Sequence, residues 1–400
     1  MTEEIKLQVR KSHEKKYKAG YPLVSKDALR NPESIYREGS LFQLLDNQGA
    51  FIGRGYYGLQ NKGIGWILTR KEKEVIDHRF FQRKIAAAIN KRSPFYHRED
   101  TTAFRIFNGE GDGIGGLTID CYGEYYLINW YSLGIYHFRE EILSALNLLI
   151  QPQGIYQKKR FDNKGQYMEA EDFASGTPTD FPLRVKEEGV NIEVNLNDGA
   201  MTGVFLDQRE VRKTLRDQYA MGKSLLNTFS YTGLFSVFAA LGGAKHTTSV
   251  DLANRSLELT RAQFLANGID PETQEIRVED VFNFFDYAVK HGVKYDIVVL
   301  DPPSFARSKK HTFSAKKDYT PLLKNAIDLT EDQGVILAST NCATFDMKTF
   351  KGFVLKAFRE KNLSYRILEE YALPTDFPTH PAFPEGNYLK VLFIKKETRP

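Results

Sequence analysis

The chain has 400 residues, and at roughly 100–200 residues per domain this length predicts two to four domains. Hydrophobic residues make up 42% and charged residues 26%, which is typical of globular proteins and excludes a wholly disordered chain. Two cysteines exclude a disulfide-stapled secreted scaffold and a cysteine-rich zinc site. No stretch reaches the ~18 apolar residues of a membrane span, and the charged N-terminus lacks the apolar core of a signal peptide. We therefore expect a cytoplasmic protein whose thiols stay reduced.

Positive charge is concentrated at the start of the chain. Residues 1–100 carry 20 Lys and Arg against 12 Asp and Glu, whereas the remaining 300 residues carry 35 against 39. A basic segment on a near-neutral body is typical of proteins that bind a polyanion such as nucleic acid. A basic face that contacts only solvent has the same composition, so charge alone leaves both alternatives open.

Residues 1–75 have the pattern of a small β-rich domain. Short apolar runs alternate there with glycine-containing turns, as in a β-barrel. Tyr56 and Tyr57 lie among the glycines beside Arg54, and aromatic and cationic side chains together suit base stacking and phosphate contact. Either tyrosine taken singly is better explained as part of a small core.

Residues 76–181 are predicted to form a small α+β domain. The apolar spacing over 75–90 indicates an amphipathic helix, and strand-like runs and a second helix follow. The run Gly111-Asp-Gly-Ile-Gly-Gly116 partly matches a dinucleotide-binding pattern. A strand rather than a helix follows it, so we interpret it as a hairpin turn.

From residue 182 onwards strands and helices alternate, which indicates an α/β fold with a parallel sheet covered on both faces. Strand 225–229 passes through the turn Ser230-Tyr-Thr-Gly233 into an apolar helix, and such a turn presents backbone N–H groups to a ligand. Asp251 ends the next strand, 18 residues after Gly233, where a carboxylate can bind the hydroxyls of a ribose. Asp280 follows the third strand, within reach of an adenine amine. Both acids can instead cap helices, and the glycine pattern disfavours a dinucleotide.

Two further candidate residues follow the fourth and fifth strands. Strand 295–300 ends in Asp301-Pro-Pro-Ser-Phe305, whose prolines hold the backbone extended and present Asp301 at the carboxyl edge of the sheet. Cys342 follows strand 334–339 and places a thiol at the same edge. The non-functional alternative for the two prolines is a stiff loop, and that for Cys342 is a small residue buried in the apolar core. Cys121 fits this second alternative well.

These motifs resemble those of class I S-adenosylmethionine-dependent RNA methyltransferases. Nearly the whole chain is similar to the three-domain bacterial family of large-subunit (23S) rRNA cytosine-C5 methyltransferases. The resemblance implies a PUA-like RNA-binding β-barrel over 1–75, a small α+β domain over 76–181 and a Rossmann-like α/β methyltransferase domain over 182–400. It also implies S-adenosyl-L-methionine as cofactor, rRNA as partner, and neither a metal nor a membrane. A homodimer is left open.

The resemblance also implies roles for individual residues. Residues expected to hold the cofactor are Phe205, Asp207, Gln208, Arg209, Phe229, Ser230, Tyr231, Thr232, Gly233, Asp251, Asp280 and Asp301. Residues expected to contact RNA are Pro302, Pro303, Phe305, Arg307, Lys309, Lys310, Lys316 and Lys317. Cys342 and Asp301 are the expected catalytic residues.

The chemistry of cytosine explains why a thiol and an acid are needed together. C5 is too weak a nucleophile to take a methyl group, and a thiolate that adds to C6 activates it. Asp301, hydrogen-bonded to N3, would stabilise the charge that develops, which requires a protonated carboxyl and therefore a raised pKa. The target base must also leave its stack.

Some questions stay open at this stage. Ser304 stands where many RNA cytosine-C5 methyltransferases carry a second cysteine, so the sequence does not say how product release is assisted. Two other functions fit the same fold. One is methylation of an exocyclic purine amine, which needs no cysteine, and the other is a non-catalytic RNA-binding assembly factor. Methylation of a small molecule is a further alternative, which the two additional domains and the basic residues after Asp301 argue against.

Overall fold

The computed structural model describes residues 4–30, 37–60, 62–161, 172–307 and 312–397. The chain forms two compact units. The first comprises Met1–Val185, Asn195–Thr202 and Thr375–Gly386, and the second comprises Lys186–Val194, Gly203–Pro374 and Asn387–Pro400. Within the described ranges, no helix is both long and apolar enough to cross a lipid bilayer.

The first unit begins with a five-stranded sheet in the order β1-β3-β4-β5-β2. Its strands are β1 (Ile5–Gln8), β2 (Leu23–Val24), β3 (Leu41–Leu45), β4 (Phe51–Gln60) and β5 (Gly63–Thr69), with the short helix α1 (Glu14–Lys18) between the first two. An antiparallel bridge between Val9 and Leu29 joins the chain beyond β1 to the chain beyond β2, so the sheet curls into a barrel. Gly55 permits close packing of β4 on β5, because a Cβ there would lie 1.9 Å from the carbonyl oxygen of Trp66.

A second five-stranded sheet, in the order β10-β9-β8-β7-β6, completes the first unit. Its strands are β6 (Ala103–Asn108), β7 (Leu117–Tyr122), β8 (Tyr125–Trp130), β9 (Gly154–Lys159) and β10 (Phe173–Gly176). The accompanying helices are α2 (His78–Lys91), α3 (Ser93–Tyr96), α4 (Leu133–Tyr136) and α5 (Arg139–Leu149). Asp77 caps α2 by accepting a hydrogen bond from the backbone N–H of Phe80 at 2.9 Å. Because β6 and β7 are antiparallel neighbours, the glycine-rich run between them is the predicted hairpin connection.

The two sheets of the first unit share one apolar core. Tyr56 and Trp66 of the barrel are buried in the same cluster as Phe81, Ile119 and Leu146 of the second sheet and its helices. The Tyr56 hydroxyl also donates a hydrogen bond to the carbonyl oxygen of Gly115 at 2.7 Å. Tyr56 is therefore a core residue, as the simpler of its two explanations predicted.

The second unit is built on a seven-stranded sheet in the order β15-β14-β13-β16-β19-β21-β20. The strands of this sheet are β13 (Ser224–Thr228), β14 (His246–Asp251), β15 (Glu275–Val278), β16 (Tyr295–Leu300), β19 (Thr330–Thr340), β20 (Ser364–Tyr371) and β21 (Lys390–Glu397). Two separate two-stranded sheets consist of β11 (Leu183–Glu187) with β12 (Val190–Val194), and of β17 (Phe305–Arg307) with β18 (Thr312–Ser314). The first five strands of the large sheet are parallel, and β21 is antiparallel to both of its neighbours.

Helices cover both faces of this sheet. They are α6 (Arg209–Thr214), which continues into a π-helical turn (Leu215–Tyr219), α7 (Leu234–Leu241), α8 (Ser256–Leu265), α9 (Val281–Lys290), α10 (Ala315–Leu329) and α11 (Met347–Glu360). Alternate residues of β16 point to opposite layers: Val298 and Leu300 pack with α9, α10 and α11, whereas Ile297 and Val299 pack with α6 and α7. The strand order reverses between β13 and β16, and ligands of open α/β sheets bind at the carboxyl ends of such strands.

The predicted α/β class, the N-terminal barrel and the succession of parallel strands are confirmed. The pair of strands β17 and β18 after Asp301 was not predicted, nor was the start of α10 directly behind it. Phe313 explains the difference: it is buried, and its ring lies 6.5 Å from the ring of Phe229 and 6.3 Å from that of Phe282. The domain boundaries at 75 and 181 stay a prediction.

Candidate active site

The turn between β13 and α7 has an unusual backbone. Phe229 and Tyr231 have φ of 54° each, and Gly233 has φ of 74° at the start of α7. Left-handed conformations are unfavourable for residues other than glycine and concentrate at ligand-binding sites. Gly233 is required for a further reason, since a Cβ at this position would lie 2.4 Å from Cγ2 of Thr260. The turn is therefore held in a strained shape by its surroundings.

Asp251 fixes this turn from the neighbouring strand. Its carboxylate accepts hydrogen bonds from the backbone N–H groups of Tyr231 and Ala253, each at 2.9 Å. The backbone N–H of Ser230 donates to the carbonyl oxygen of Val250 at 3.1 Å. The predicted proximity of Asp251 to the turn is thus present, and part of its carboxylate is used in holding the turn.

The segment that precedes α6 lies against the same turn. The N–H of Gly203 donates to the Tyr231 hydroxyl at 2.9 Å, and the buried Thr232 hydroxyl donates to the Gly203 carbonyl at 2.8 Å. The ring of Phe205 lies 5.4 Å from the ring of Tyr231 and is 38% exposed. The ring of Phe205 thus packs on an aromatic residue of the turn and leaves part of its own surface open to a ligand.

Charged residues of this segment and of α6 form hydrogen bonds or ion pairs within the protein. Asp207 accepts a hydrogen bond from the Tyr388 hydroxyl at 2.8 Å. Arg212 is buried and donates to both carboxylate oxygens of Glu187, at 2.7 and 2.8 Å. Arg209 is completely buried, and its Nε lies 3.5 Å from a carboxylate oxygen of Glu210. These contacts anchor the segment, so the cofactor roles of Asp207 and Arg209 stay predictions.

Asp301 follows β16 and is surrounded by hydrogen-bonding groups. Gln208 donates from Nε2 to Oδ1 of Asp301 at 3.2 Å and to Oγ of Ser339 at 2.8 Å. Removal from water raises the pKa of Asp301 to about 6, and the charge of Asp207 contributes in the same direction. Contacts with Ser339, Arg212 and Gln208 oppose that increase. The predicted increase in the pKa of Asp301 is therefore present.

Cys342 lies just beyond β19, the strand next to β16. It is 7% exposed and belongs to the apolar core on that side of the sheet. Its Sγ lies 3.1 Å from the hydroxyl oxygen of the exposed Thr344. The sulfur therefore contacts a polar group, although burial leaves only a small opening for a substrate.

Lys390 is a charged residue in the surroundings of Cys342 that the sequence did not single out. It is 4% exposed and pairs with Thr340 across the β19–β21 ladder. Its Nζ donates to the carbonyl oxygen of Tyr388 at 2.7 Å. Burial lowers the pKa of Lys390, and the nearby Cys342 and Asp346 oppose this shift.

A hydrogen bond connects the Asp301 loop with the Cys342 loop. Ser304 donates to Oδ1 of Asn341 at 2.5 Å, and Asn341 immediately precedes Cys342. Beneath this contact, the buried Tyr319 hydroxyl donates to the backbone oxygen of Ser339 at 2.6 Å. The two predicted catalytic residues thus leave adjacent strand ends that are joined to each other. The partners Ser339 and Asn341 could have been found only from the register of β16 on β19.

The predicted RNA-contacting residues differ in accessibility. Phe305 is 64% exposed, and Pro303, Lys316 and Lys317 are exposed as well, whereas Pro302 is buried. Arg307 ends β17, while Lys309 and Lys310 lie outside the described residues.

Asp280 caps a helix, which was the alternative considered for the strand-end acids. It accepts a hydrogen bond from the N–H of Phe282 at 2.9 Å at the start of α9. Its contact with adenine stays a prediction.

Two exposed apolar side chains next to the strand-end acids were not predicted. Leu252 directly follows Asp251 and is 57% exposed, and Val278 ends β15 and is 39% exposed. Such apolar surface at the carboxyl edge suits a planar base.

The residues of this edge fit an adenosine-type cofactor with a charged tail. The left-handed turn follows the carboxyl end of β13, Asp251 stands at the end of β14, and the exposed ring of Phe205 offers an apolar surface. Within the part of the chain that is described, the buried Oε1 of Gln208 has no hydrogen-bond partner, so a donor group of a ligand can be accepted there.

Comparison with known proteins identifies the family. Residues 7–70 match the model of a PUA-like domain, and residues 154–394 match that of S-adenosylmethionine-dependent methyltransferases. A Bacillus subtilis (strain 168) protein that carries the provisional name ribosomal RNA large subunit methyltransferase YwbD is 55% identical over 393 residues, with 98% of this chain and 99% of that protein covered. Ribosomal RNA large subunit methyltransferase I of Aeromonas salmonicida (strain A449) is 31% identical, with 96% and 98% covered.

Solved structures agree with this result. The crystal structure of SMU.776, provisionally described as a methyltransferase and complexed with SAH, has a TM-score of 0.90 at 40% identity and covers 98% of this chain and 100% of its own. A structure described as a SAM-dependent methyltransferase from Streptococcus mutans has a TM-score of 0.89 at 39% identity, with the same coverage. The chain therefore belongs to the S-adenosylmethionine-dependent methyltransferase family, uses that cofactor and carries an N-terminal PUA-like domain.

Proposed function

We propose that this protein methylates large-subunit (23S) rRNA and that its product is 5-methylcytosine. The names of the two relatives support the rRNA substrate. One observation carries the choice of cytosine C5: Asp301 and Cys342 follow adjacent parallel strands, and the Ser304–Asn341 hydrogen bond joins their loops at 2.5 Å. An acid beside a thiol is the pair that this reaction needs.

The thiolate of Cys342 is the proposed nucleophile. Its sulfur forms a bond to C6 of the flipped cytosine, and the electron pair of the C5–C6 double bond moves toward C5, N3 and O2. S-adenosylmethionine, when bound, supplies an electrophilic methyl group at C5. Loss of the C5 proton to a base then restores the double bond and breaks the sulfur–C6 bond, which regenerates the thiolate.

Asp301 has the proposed role of donating a hydrogen bond to N3 while negative charge develops on the ring. Only the neutral carboxyl can donate, and a pKa of about 6 leaves a substantial neutral fraction near that pH. Burial, the largest cause of the raised pKa, thus keeps the acid in the form that this step requires.

Exposed residues near this edge are proposed to hold the RNA. The ring of Phe305 is 64% exposed and can stack on a base. Lys316 and Lys317 occupy the first turn of α10, where the positive end of the helix dipole adds to their charge and favours phosphate. The PUA-like domain supplies a separate RNA-binding module. A homodimer remains compatible with this function and can be tested by sedimentation.

The low exposure of Cys342 favours a second candidate function, methylation of an exocyclic purine amine. That reaction uses the lone pair of the amine itself and needs no thiol near the surface. Asp301 would then accept a hydrogen bond from the amine instead of donating one to N3.

Transfer of a tritiated methyl group to rRNA, followed by nucleoside analysis, distinguishes the two functions. We expect 5-methylcytosine from the wild type and none from Cys342→Ala, with cofactor binding retained. Cys121→Ala is the matched control, because Cys121 is 2% exposed in the first unit and has no role in the proposal. A methylated purine from both wild type and Cys342→Ala would refute the cytosine assignment.

A further inference from the structure

Gln208 has an environment that its place in the sequence did not predict. It ends the 3₁₀ turn Leu206–Gln208 and is only 4% exposed. Its Nε2 donates to Oδ1 of Asp301 at 3.2 Å and to Oγ of Ser339 at 2.8 Å, which uses both N–H bonds of the amide. The reverse amide orientation would place Oε1 against the carboxyl oxygen of Asp301. In this orientation both N–H bonds of the amide face Asp301 and Ser339.

The other end of this amide is buried and unsatisfied. Among the residues that the structure describes, Oε1 of Gln208 has no hydrogen-bond donor. A buried carbonyl oxygen without a donor is unfavourable, so a ligand that brings an N–H group to this point is bound more tightly. Because an amide is planar, Nε2 and Oε1 face different groups, with Asp301 on one side and the ligand on the other.

The local charges favour a cationic donor at this point. The carboxyl groups of Asp301 and Asp207 lie close enough for the charge of Asp207 to raise the pKa of Asp301. Arg212, whose charge opposes this increase, is paired with Glu187. In S-adenosylmethionine the α-ammonium is the cationic group that carries N–H bonds, whereas the sulfonium has none.

We propose that Gln208 is a positioning residue that links the ammonium group of the bound methyl donor to the carboxyl of Asp301. Oε1 accepts from the ammonium, and Nε2 donates to Oδ1 of Asp301. Because Oδ1 is occupied as an acceptor, the proton of the neutral carboxyl resides on Oδ2, the oxygen left to face the base. An ammonium at Oε1 polarises the amide and strengthens its donation to Asp301. The role of Asp301 in this link rests on the proposed function.

Ser339 offers a control within the same network. It is fully buried at the end of β19, accepts from Gln208 through Oγ, and hydrogen-bonds the Asp301 carboxyl through its own hydroxyl. It therefore positions Asp301 without being assigned any contact with the cofactor. Tyr319 also lies nearby, but its hydroxyl is bound to the backbone of Ser339.

Calorimetric binding of two ligands to the full chain, without RNA, tests the ammonium contact. S-adenosylhomocysteine carries the ammonium group, and methylthioadenosine lacks the whole amino-acid portion. We expect Gln208→Met to weaken S-adenosylhomocysteine binding about tenfold, as for one missing hydrogen bond to a charged group, and to leave methylthioadenosine unchanged. Ser339→Ala is expected to change neither. Equal weakening of both ligands, or unchanged binding of the first, overturns the proposal.

The pH dependence of methyl transfer tests the link to Asp301. Gln208 and Ser339 both lower the pKa of Asp301, so Gln208→Met and Ser339→Ala are expected to move the alkaline limb of the profile to higher pH. Ser339→Thr restores the hydroxyl and is expected to restore the limb. An unmoved limb in both variants overturns the positioning role.

A third variant covers the case in which Gln208→Met does not fold. Gln208→Glu keeps the size and an acceptor for the ammonium but replaces the donor to Asp301 by an oxygen. We expect retained S-adenosylhomocysteine binding together with a shifted pH limb, and loss of binding contradicts the proposal. The calorimetric experiment does not depend on which nucleoside is methylated. Failure of the proposed ammonium contact can therefore be distinguished from failure of the 5-methylcytosine assignment.

Discussion

Substitution of Gly233 by alanine tests whether close packing shapes the turn between β13 and α7. Gly233 has φ of 74°, and an L-residue in that conformation costs about 1–2 kcal/mol. The new methyl would also lie 2.4 Å from Cγ2 of Thr260, a buried, β-branched residue with little freedom to rotate. Such overpacking costs about 1–3 kcal/mol, so the expected total loss of unfolding free energy is about 2–5 kcal/mol.

Gly268 provides a matched control. Its φ is 69°, and a Cβ there meets nothing within 4 Å. Gly268→Ala is therefore expected to lose only the conformational part, about 1–2 kcal/mol. Urea denaturation of both variants gives the difference, which measures the collision with Thr260 alone.

Binding of S-adenosylhomocysteine supplies the second readout for this pair. We expect Gly233→Ala to weaken binding, since the turn must move to relieve the collision, and Gly268→Ala to leave binding unchanged. Equal destabilisation of the two variants, with equal affinities, would refute the argument that packing against Thr260 shapes the turn.

Three further predictions concern charge and hydrogen bonding at the sheet edge. The raised pKa of Asp301 means that its contribution to folding is fully present below its ordinary pKa and is lost as the pH rises through about 6. Asp301→Asn is therefore expected to melt at a higher temperature than wild type at about pH 8 and at an equal temperature at about pH 3. Replacing Lys316 and Lys317 by Gln is expected to weaken RNA binding in a filter assay. The slope of log affinity against log salt concentration is expected to become shallower by roughly 0.7 for each phosphate that is no longer neutralised. An unchanged slope contradicts binding of phosphate by these lysines. Ser304→Ala removes the hydrogen bond to Asn341 and is expected to lower kcat severalfold without changing cofactor affinity, whereas Ser304→Thr keeps both values.

The scaffold of the second unit was predictable because its signals are local. The strand that ends at Thr228, the left-handed Gly233 and the acid Asp251 occupy one continuous stretch of about 30 residues whose pattern is typical of a parallel sheet. The same rules placed Asp301 and Cys342 at the ends of strands. The ends of parallel neighbours meet at one edge of the sheet, so the proximity of these two strand ends could be predicted from the sequence.

The environments of the site residues could not be predicted, because they depend on contacts between distant parts of the chain. Gln208 meets Asp301 across 93 residues and Ser339 across 131. Phe313 has basic residues around it in the sequence, yet it is buried against Phe229, which no local pattern indicates. Cys342 is likewise buried in a core to which α9 and α10, earlier in the chain, and α11, later in the chain, all contribute.

The shared core of the first unit has a consequence for anyone who wishes to isolate its barrel. Tyr56 and Trp66 are shielded by side chains from the second sheet, and the Tyr56 hydroxyl is satisfied by Gly115. A fragment that stops near residue 75 would expose the side chains of Tyr56 and Trp66 to water. It would also remove the carbonyl oxygen of Gly115 that accepts from the Tyr56 hydroxyl. Such an excised barrel is expected to self-associate. Titration with oligonucleotides therefore calls for the full chain, because the first unit also includes Asn195–Thr202 and Thr375–Gly386.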